Sequence, residues 1–122
     1  MYNPIEHQIA LGRIEEFISS RGYSVKYDST EYYVDWSDNT IHAPKRYRTN
    51  PKLICALLHE AGHIITPDSL LLRSKRSMKR NQAVVIEQEY LAWSNGINIA
   101  DELNIMTESF IRVYTQIGRA HV

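Results

Sequence analysis

The chain lacks several features that would assign it to a specialised class of protein. Its 122 residues contain a single cysteine, Cys55, which excludes an internal disulfide framework. No stretch approaches the roughly 20 apolar residues that a membrane span needs. Charged residues interrupt the N-terminal segment MYNPIEHQIALGRIEEF, which is therefore not typical of a secretory signal. We expect a protein of the reducing cytoplasm without a membrane partner.

The chain also lacks a net charge. Its 14 basic and 14 acidic residues cancel, so no overall field favours nucleic acid, an anionic membrane or an acidic substrate. The basic run Arg73 to Arg80, RSKRSMKR, could contact phosphates, but such a run is more typical of a solvated loop or a lid. A nucleic-acid partner is therefore not expected. The length, with 43% hydrophobic residues, predicts one globular domain.

The last six residues, IGRAHV, match the in-frame translation of a widely used sequencing adapter. We therefore interpret residues 1–116 as the single domain and residues 117–122 as not native. His121 is excluded from any functional site for this reason. The natural chain can continue differently after Gln116.

Hydrophobic periodicity predicts an α+β fold. Apolar residues at helical spacing from Asn3 to Arg21, followed by Gly22, indicate a first helix. The period then changes to two in the segments YSVKYD, EYYVDW and NTIHA, which predicts a small sheet of three antiparallel strands.

The second half of the chain is predicted to be helical. Asn50 and Pro51 are typical of the start of a helix, which we expect to end near Pro67. A long apolar-periodic segment from Gln82 to Leu103 predicts another helix. A short C-terminal helix is expected from Thr107 to Ile117.

The clearest chemical signal is the stretch LLHEAGHII, from Leu57 to Ile65. His59 and His63 lie four residues apart, so on a helix their imidazoles face the same side and can converge on one metal ion. Glu60 lies beside that face, where it suits a base better than a ligand. A shuffled chain of this composition would contain such a motif only about once in a hundred. The motif therefore predicts a zinc site that lacks its third ligand.

Glu89 is the favoured third ligand. On a helix it lies in the middle of an apolar face, where a lone carboxylate is costly unless it is paired or bound to metal. Two alternatives remain open: Glu89 forms an ion pair with a lysine or arginine, or the helix is rotated so that Glu87 is the donor. The apolar face comprises Val85, Ile86, Ala92, Trp93, Gly96, Ala100 and Leu103.

These residues resemble a known family. The motif HEAGH, followed about 25 residues later by EQEYLAWSNG, is similar to the gluzincin pattern of zinc metallopeptidases. The small size resembles ImmA/IrrE-type metallopeptidases and related compact phage or prophage proteins. The resemblance covers Ile41 to Leu103, and Trp93 stands where many relatives carry an acidic or amide residue. It implies a zincin-like domain in which His59, His63 and Glu89 bind one zinc ion per chain and Glu60 is the catalytic base.

The expected activity is hydrolysis of a peptide or protein substrate by a zinc-activated water, with Glu60 as general base. The resemblance further implies cleavage of a specific regulator. The alternative is a non-catalytic protein-binding module that keeps the metalloprotease fold, with zinc structural or lost. Retention of Glu60 favours the enzyme.

Two further residues near the motif have weaker interpretations. His42 lies on the predicted strand NTIHA, which could sit at the sheet edge beside the cleft and bind an extended substrate. Its ring could then stabilise an oxyanion, although a lone strand histidine is more often a surface or core residue. Cys55 lies one turn before His59 and could touch the metal, but it is more typical of a small core residue.

Overall fold

The computed structural model describes residues 4–45, 50–66 and 82–105, together with residues 112 and 116. For residues 51 and 82–88 the description covers the backbone only. These residues form a helix, a three-stranded sheet and two further helices, which confirms the predicted α+β class. Across the described ranges, no helix is both long enough and apolar enough to cross a membrane.

The first helix, α1, spans Pro4–Ser20 and packs one face onto the core. Two residues after its end lies Gly22, whose φ of 82° is in the left-handed region that favours glycine. The amide of Gly22 donates to the carbonyl of Ser19 there. Both the helix and its stop were predicted from periodicity and from Gly22. Its buried residues are His7, Leu11, Ile14, Phe17 and Ile18.

The sheet is mixed, so the prediction of an entirely antiparallel sheet is wrong. Its strands are β1 at Ser24–Ser29, β2 at Tyr33–Asp35 and β3 at Thr40–Pro44, in the order β1-β3-β2. Strands β2 and β3 form an antiparallel hairpin as expected, closed by a turn in which Asn39 has a φ of 54°. Strand β1, in contrast, pairs with β3 in parallel.

The pairing order follows from a short crossover that the strand pattern does not reveal. Ser29 at the end of β1 lies opposite Pro44, whereas Tyr33 at the start of β2 lies opposite His42. The few residues between them therefore carry the chain past the end of β3, from one side of it to the other. Strand β3 is consequently central, and its Ile41 is completely buried. This overturns the expectation that the strand NTIHA lies at the sheet edge.

Helix α2 spans Pro51–Ile64 and carries the HEAGH motif. Asn50 caps it: its side-chain oxygen accepts a hydrogen bond of 2.9 Å from the backbone amide of Lys52. The predicted start is therefore confirmed, and the helix ends at Ile64, before the predicted limit. Its apolar residues form the centre of the core, with Leu53, Cys55, Leu57, Leu58 and Ala61 completely buried.

Helix α3 spans Gln82–Glu102 and packs against α2. Contact between these two helices is what a ligand set of His59, His63 and Glu89 requires. Arg13 of α1 contacts the chain just after α3, where it donates to the carbonyls of Leu103 and Asn104, at 3.1 and 3.2 Å. The predicted helix from Thr107 to Ile117 lies outside the described residues, except for two positions. Residues 112 and 116 both have helical backbone.

Candidate metal centre

The candidate centre lies where α2 and α3 approach at backbone distance. A Cβ atom built on Gly62 would overlap the carbonyl oxygen of Ala92 and lie 2.9 Å from its carbonyl carbon. Only glycine leaves that space free. His59 lies three residues before Gly62, and Glu89 lies three residues before Ala92. The close approach therefore brings these two side chains within reach of each other.

His59 and His63 converge on one carboxylate across this interface. Nε2 of His59 lies 2.8 Å from Oε2 of Glu89, and Nε2 of His63 lies 3.2 Å from Oε1 of the same residue. The two imidazole centroids are 4.8 Å apart and nearly perpendicular. The structure therefore brings together the three residues that the sequence proposed as ligands.

The three residues lie close enough together that they could hold a metal ion. Their donor atoms lie within 4.8 Å of one another. Two donors that each lie about 2.0–2.1 Å from a tetrahedral ion are roughly 3.3 Å apart. The observed N–O distances of 2.8 and 3.2 Å are close to this spacing. Two imidazole nitrogens and one carboxylate oxygen are also a donor set that zinc binds in catalytic sites.

Charge pairing holds the carboxylate in the form that binds metal. Burial alone would raise the pKa of Glu89, but hydrogen bonds and charge interactions with His59 and His63 lower it strongly. For His63 burial acts in the opposite direction and would lower the pKa. The hydrogen bond to Glu89 and the charges of Glu60 and Glu89 raise the pKa of His63 instead. Glu89 is therefore ionised, whereas the raised pKa of His63 means that a proton competes with a metal ion for its ring.

Glu60 lies beside these donors and is not one of them. Its half-buried side chain has a raised pKa because burial disfavours the charged form, and the nearby charge of Glu89 adds to that effect. The imidazoles of His63 and His59 act in the opposite direction. This placement agrees with the sequence-based interpretation of Glu60 as a neighbour of the ligand face.

The predicted phase of α3 agrees with the described side chains. Ala92, Gly96 and Ala100, which share the face of Glu89, are buried, whereas Ser94 and Asn98 are exposed. The side chain of Glu87 lies outside the described residues, as do Val85, Ile86 and the basic run Arg73 to Arg80. The competing assignment of Glu87 as ligand therefore stays a matter for experiment.

Two contacts at the centre were not foreseen. The indole of Trp93 packs against the imidazole of His59, with ring centroids 4.3 Å apart. In addition, Thr66 donates its hydroxyl to the carbonyl of Gly62 at 2.9 Å, which closes the end of α2. The position of Trp93 four residues after Glu89, on the same helix face, was the signal that could have predicted the first contact.

His42 and Cys55 are not brought into the donor group. Nδ1 of His42 lies 2.6 Å from Oδ1 of Asp28, and its ring stacks on Tyr33 at 4.7 Å, so its contacts are with the sheet. Cys55 is completely buried, and burial raises the pKa of its thiol to about 12. Cys55 therefore behaves as the small core residue that its sequence context favoured.

A second group of donor atoms lies at the turn of the β2–β3 hairpin. Asp35, Asp38 and His42 have donors within 4.8 Å of one another. The carboxylate of Asp35 already caps the turn, because it accepts from the hydroxyl and the backbone amide of Ser37, at 2.6 and 3.0 Å. These hydrogen bonds hold the pKa of Asp35 below its usual value. The group is explained by turn structure.

Comparison with known proteins identifies no relative: no family model, no curated protein and no solved structure matches this chain. The chemical interpretation of the centre therefore depends on its geometry and on the residues that form it.

Proposed function

We propose that this chain is a zinc-dependent metallopeptidase, with His59, His63 and Glu89 as zinc ligands and Glu60 as general base. The observation that carries the proposal is the convergence of both imidazole Nε2 atoms on the Glu89 carboxylate, at 2.8 and 3.2 Å. Glu60, the glutamate of the HEAGH motif, lies next to this group in a partly buried position.

The residues divide the chemical work between them. Zinc bound here would supply Lewis-acid activation of a water molecule and of the peptide carbonyl. His59 and His63 provide neutral nitrogen donors, and Glu89 provides a charged oxygen donor from the facing helix. Glu60 accepts the proton of the attacking water and passes it to the leaving amine. Burial raises the pKa of Glu60, and a raised pKa favours a base that must release its proton again.

Two features favour an enzyme over a binding module with structural zinc. Among the residues that the structure describes, the donor group has three members, which suits a catalytic site because structural zinc sites usually have four protein ligands. In addition, Glu60 lies beside the donor group in a half-buried position without belonging to it. A module that only kept the fold has no need of a carboxylate there.

We further propose that the substrate is a peptide or a protein. The proposal that this substrate is a specific regulator depends on the family resemblance alone. A cytoplasmic setting is proposed because a lone buried cysteine is compatible with a reducing compartment.

The experiment combines metal analysis with peptide cleavage. Purified protein should contain one zinc per chain, lose it to a chelator and regain it on dialysis against zinc. A broad peptide library should be cleaved by the zinc-loaded protein, and should not be cleaved by the chelated protein or by His63→Ala. Metal-free protein should also melt at a lower temperature, because a ligand that binds only the folded state stabilises it.

The possible results separate the two functions. A protein that holds no zinc, and whose melting temperature does not change when zinc is added, would exclude the metal site. A protein that binds stoichiometric zinc but cleaves nothing in the library would support the binding module instead.

A further inference from the structure

The indole of Trp93 packs against the imidazole ring of His59. Their ring centroids are 4.3 Å apart and the ring planes are inclined by 39°. This separation is slightly shorter than the roughly 4.5–7 Å typical of paired aromatic rings. Trp93 is itself buried, with 8% of its surface exposed, so its indole cannot move away without opening the core.

Glu89 and Trp93 act on the same ring from one helix face. They are four residues apart on α3 and therefore lie one above the other. Glu89 contacts Nε2 of His59 at 2.8 Å, whereas the indole of Trp93 packs against the ring at a tilt of 39°. One contact fixes the direction of the nitrogen, and the other limits rotation of the imidazole about its bond to Cβ.

The close approach of the helices makes this arrangement possible. Gly62 and Ala92 meet at backbone distance, and Trp93 follows Ala92 directly. His59 lies almost one turn before Gly62 on α2. The indole consequently reaches His59 from the facing helix without an intervening residue.

We propose that Trp93 is a positioning residue that holds His59 in the orientation required for metal binding. In metal sites this task usually falls to a hydrogen-bonding carboxylate or carbonyl that fixes the ligand ring. The indole of Trp93 contributes to this orientation by packing against the ring. A ring that is already oriented loses less freedom when the metal binds, which strengthens affinity. The metal-bound imidazole is also more positive, and the indole π face attracts positive charge.

This inference rests on the proposed metal site, and its test uses metal affinity and ligand geometry as well as activity. The variants are Trp93→Leu, which removes the aromatic face, and Trp93→Phe, which keeps a smaller one. Ile99→Ala is the matched control, because Ile99 is a buried residue of the same helix, almost two turns beyond Trp93. Zinc affinity is measured by competition with a chelator. The absorption spectrum of the cobalt-substituted protein reports ligand geometry.

Trp93→Leu should lose about 10- to 100-fold in zinc affinity, the range seen when the support of a metal ligand is removed. Its cobalt bands should shift relative to wild type. Trp93→Phe should remain within about threefold, because an aromatic face is kept. Ile99→Ala should melt earlier but keep the wild-type affinity and cobalt spectrum. If Trp93→Leu does not fold, Trp93→Met, which fills the space with a flexible side chain, takes its place.

The inference is overturned if Trp93→Leu binds zinc as tightly as wild type with an unchanged cobalt spectrum. It is also overturned if Ile99→Ala loses as much affinity as Trp93→Leu, because the effect would then be general loosening of the core. In both cases wild type still binds zinc and the proposed function stands. If wild type binds no metal, both the function and the inference fail.

Discussion

Gly62 and Ala92 bring the two site helices into backbone contact: a Cβ atom on Gly62 would lie 2.9 Å from the carbonyl carbon of Ala92 and overlap its oxygen. The motif H-E-x-x-H permits any residue at this position, yet the packing here permits only glycine. The side-chain amide of Asn95 also donates to the carbonyl of Gly62, at 3.5 Å. The distance between His59 and Glu89 therefore depends on a residue that has no chemical role of its own.

Substitution of Gly62→Ala should destabilise the protein. The added methyl group forces α2 and α3 apart, and overpacking of this kind costs about 1–3 kcal/mol. Gly12→Ala is the matched control, because Gly12 is an exposed glycine within α1 and a Cβ there meets nothing within 4 Å. That variant should gain about 0.5–1 kcal/mol from helix propensity alone.

Urea denaturation of both variants measures the two effects. The difference in sign between Gly62→Ala and Gly12→Ala is the expected result. Equal stabilisation by both substitutions would mean that the helices are farther apart than the structure places them.

The ligand assignment is tested by two neighbouring glutamates of α3. Glu89→Gln should weaken zinc binding strongly, because a charged oxygen donor next to both histidines becomes a neutral amide. Glu87→Gln should leave affinity within a few-fold of wild type, because two residues along a helix rotate the side chain by about 160°. Titration against a competing chelator measures both. Loss of metal in Glu87→Gln alone would transfer the third ligand to that residue.

The thiol of Cys55 should be unreactive in the folded protein. Burial raises its pKa to about 12, so almost none of it is the reactive thiolate at pH 8. A colorimetric thiol reagent should find no reactive group until urea is added, and one group per chain after unfolding. Since Cys55 is the only cysteine, the assay reports on α2 alone. Rapid reaction under native conditions would contradict the packing of this helix.

The sequence predicted the grouping of His59, His63 and Glu89 better than it predicted the pairing of the strands. The spacing of His59 and His63 and the apolar face around Glu89 depend on helix geometry, which is local and regular. Asn50, Pro51 and Gly22 also act locally, so the start of α2 and the stop of α1 follow from residue type. These features require no knowledge of how distant segments meet.

The errors concern contacts between distant segments. Alternation in β1 identifies a strand with one covered face, but it does not say that β1 pairs with β3 in parallel. The burial of Ile41 and Ala43 in β3 follows from its central position, which only the crossover after Ser29 determines. The contact between Trp93 and His59 likewise depends on the separation of two helices, which Gly62 sets.

Peptide cleavage by Glu60→Gln, measured at a zinc content equal to that of wild type, decides whether Glu60 is the catalytic base. The variant should keep one zinc per chain, because Glu60 is not a member of the donor group. Its cleavage rate should fall by about 10²–10⁴-fold, the contribution typical of general acid–base catalysis. Glu16→Gln, at an exposed glutamate of α1, should cleave as wild type does. Equal cleavage by wild type and Glu60→Gln would contradict the account, because the activity would then belong to another site or to a contaminant.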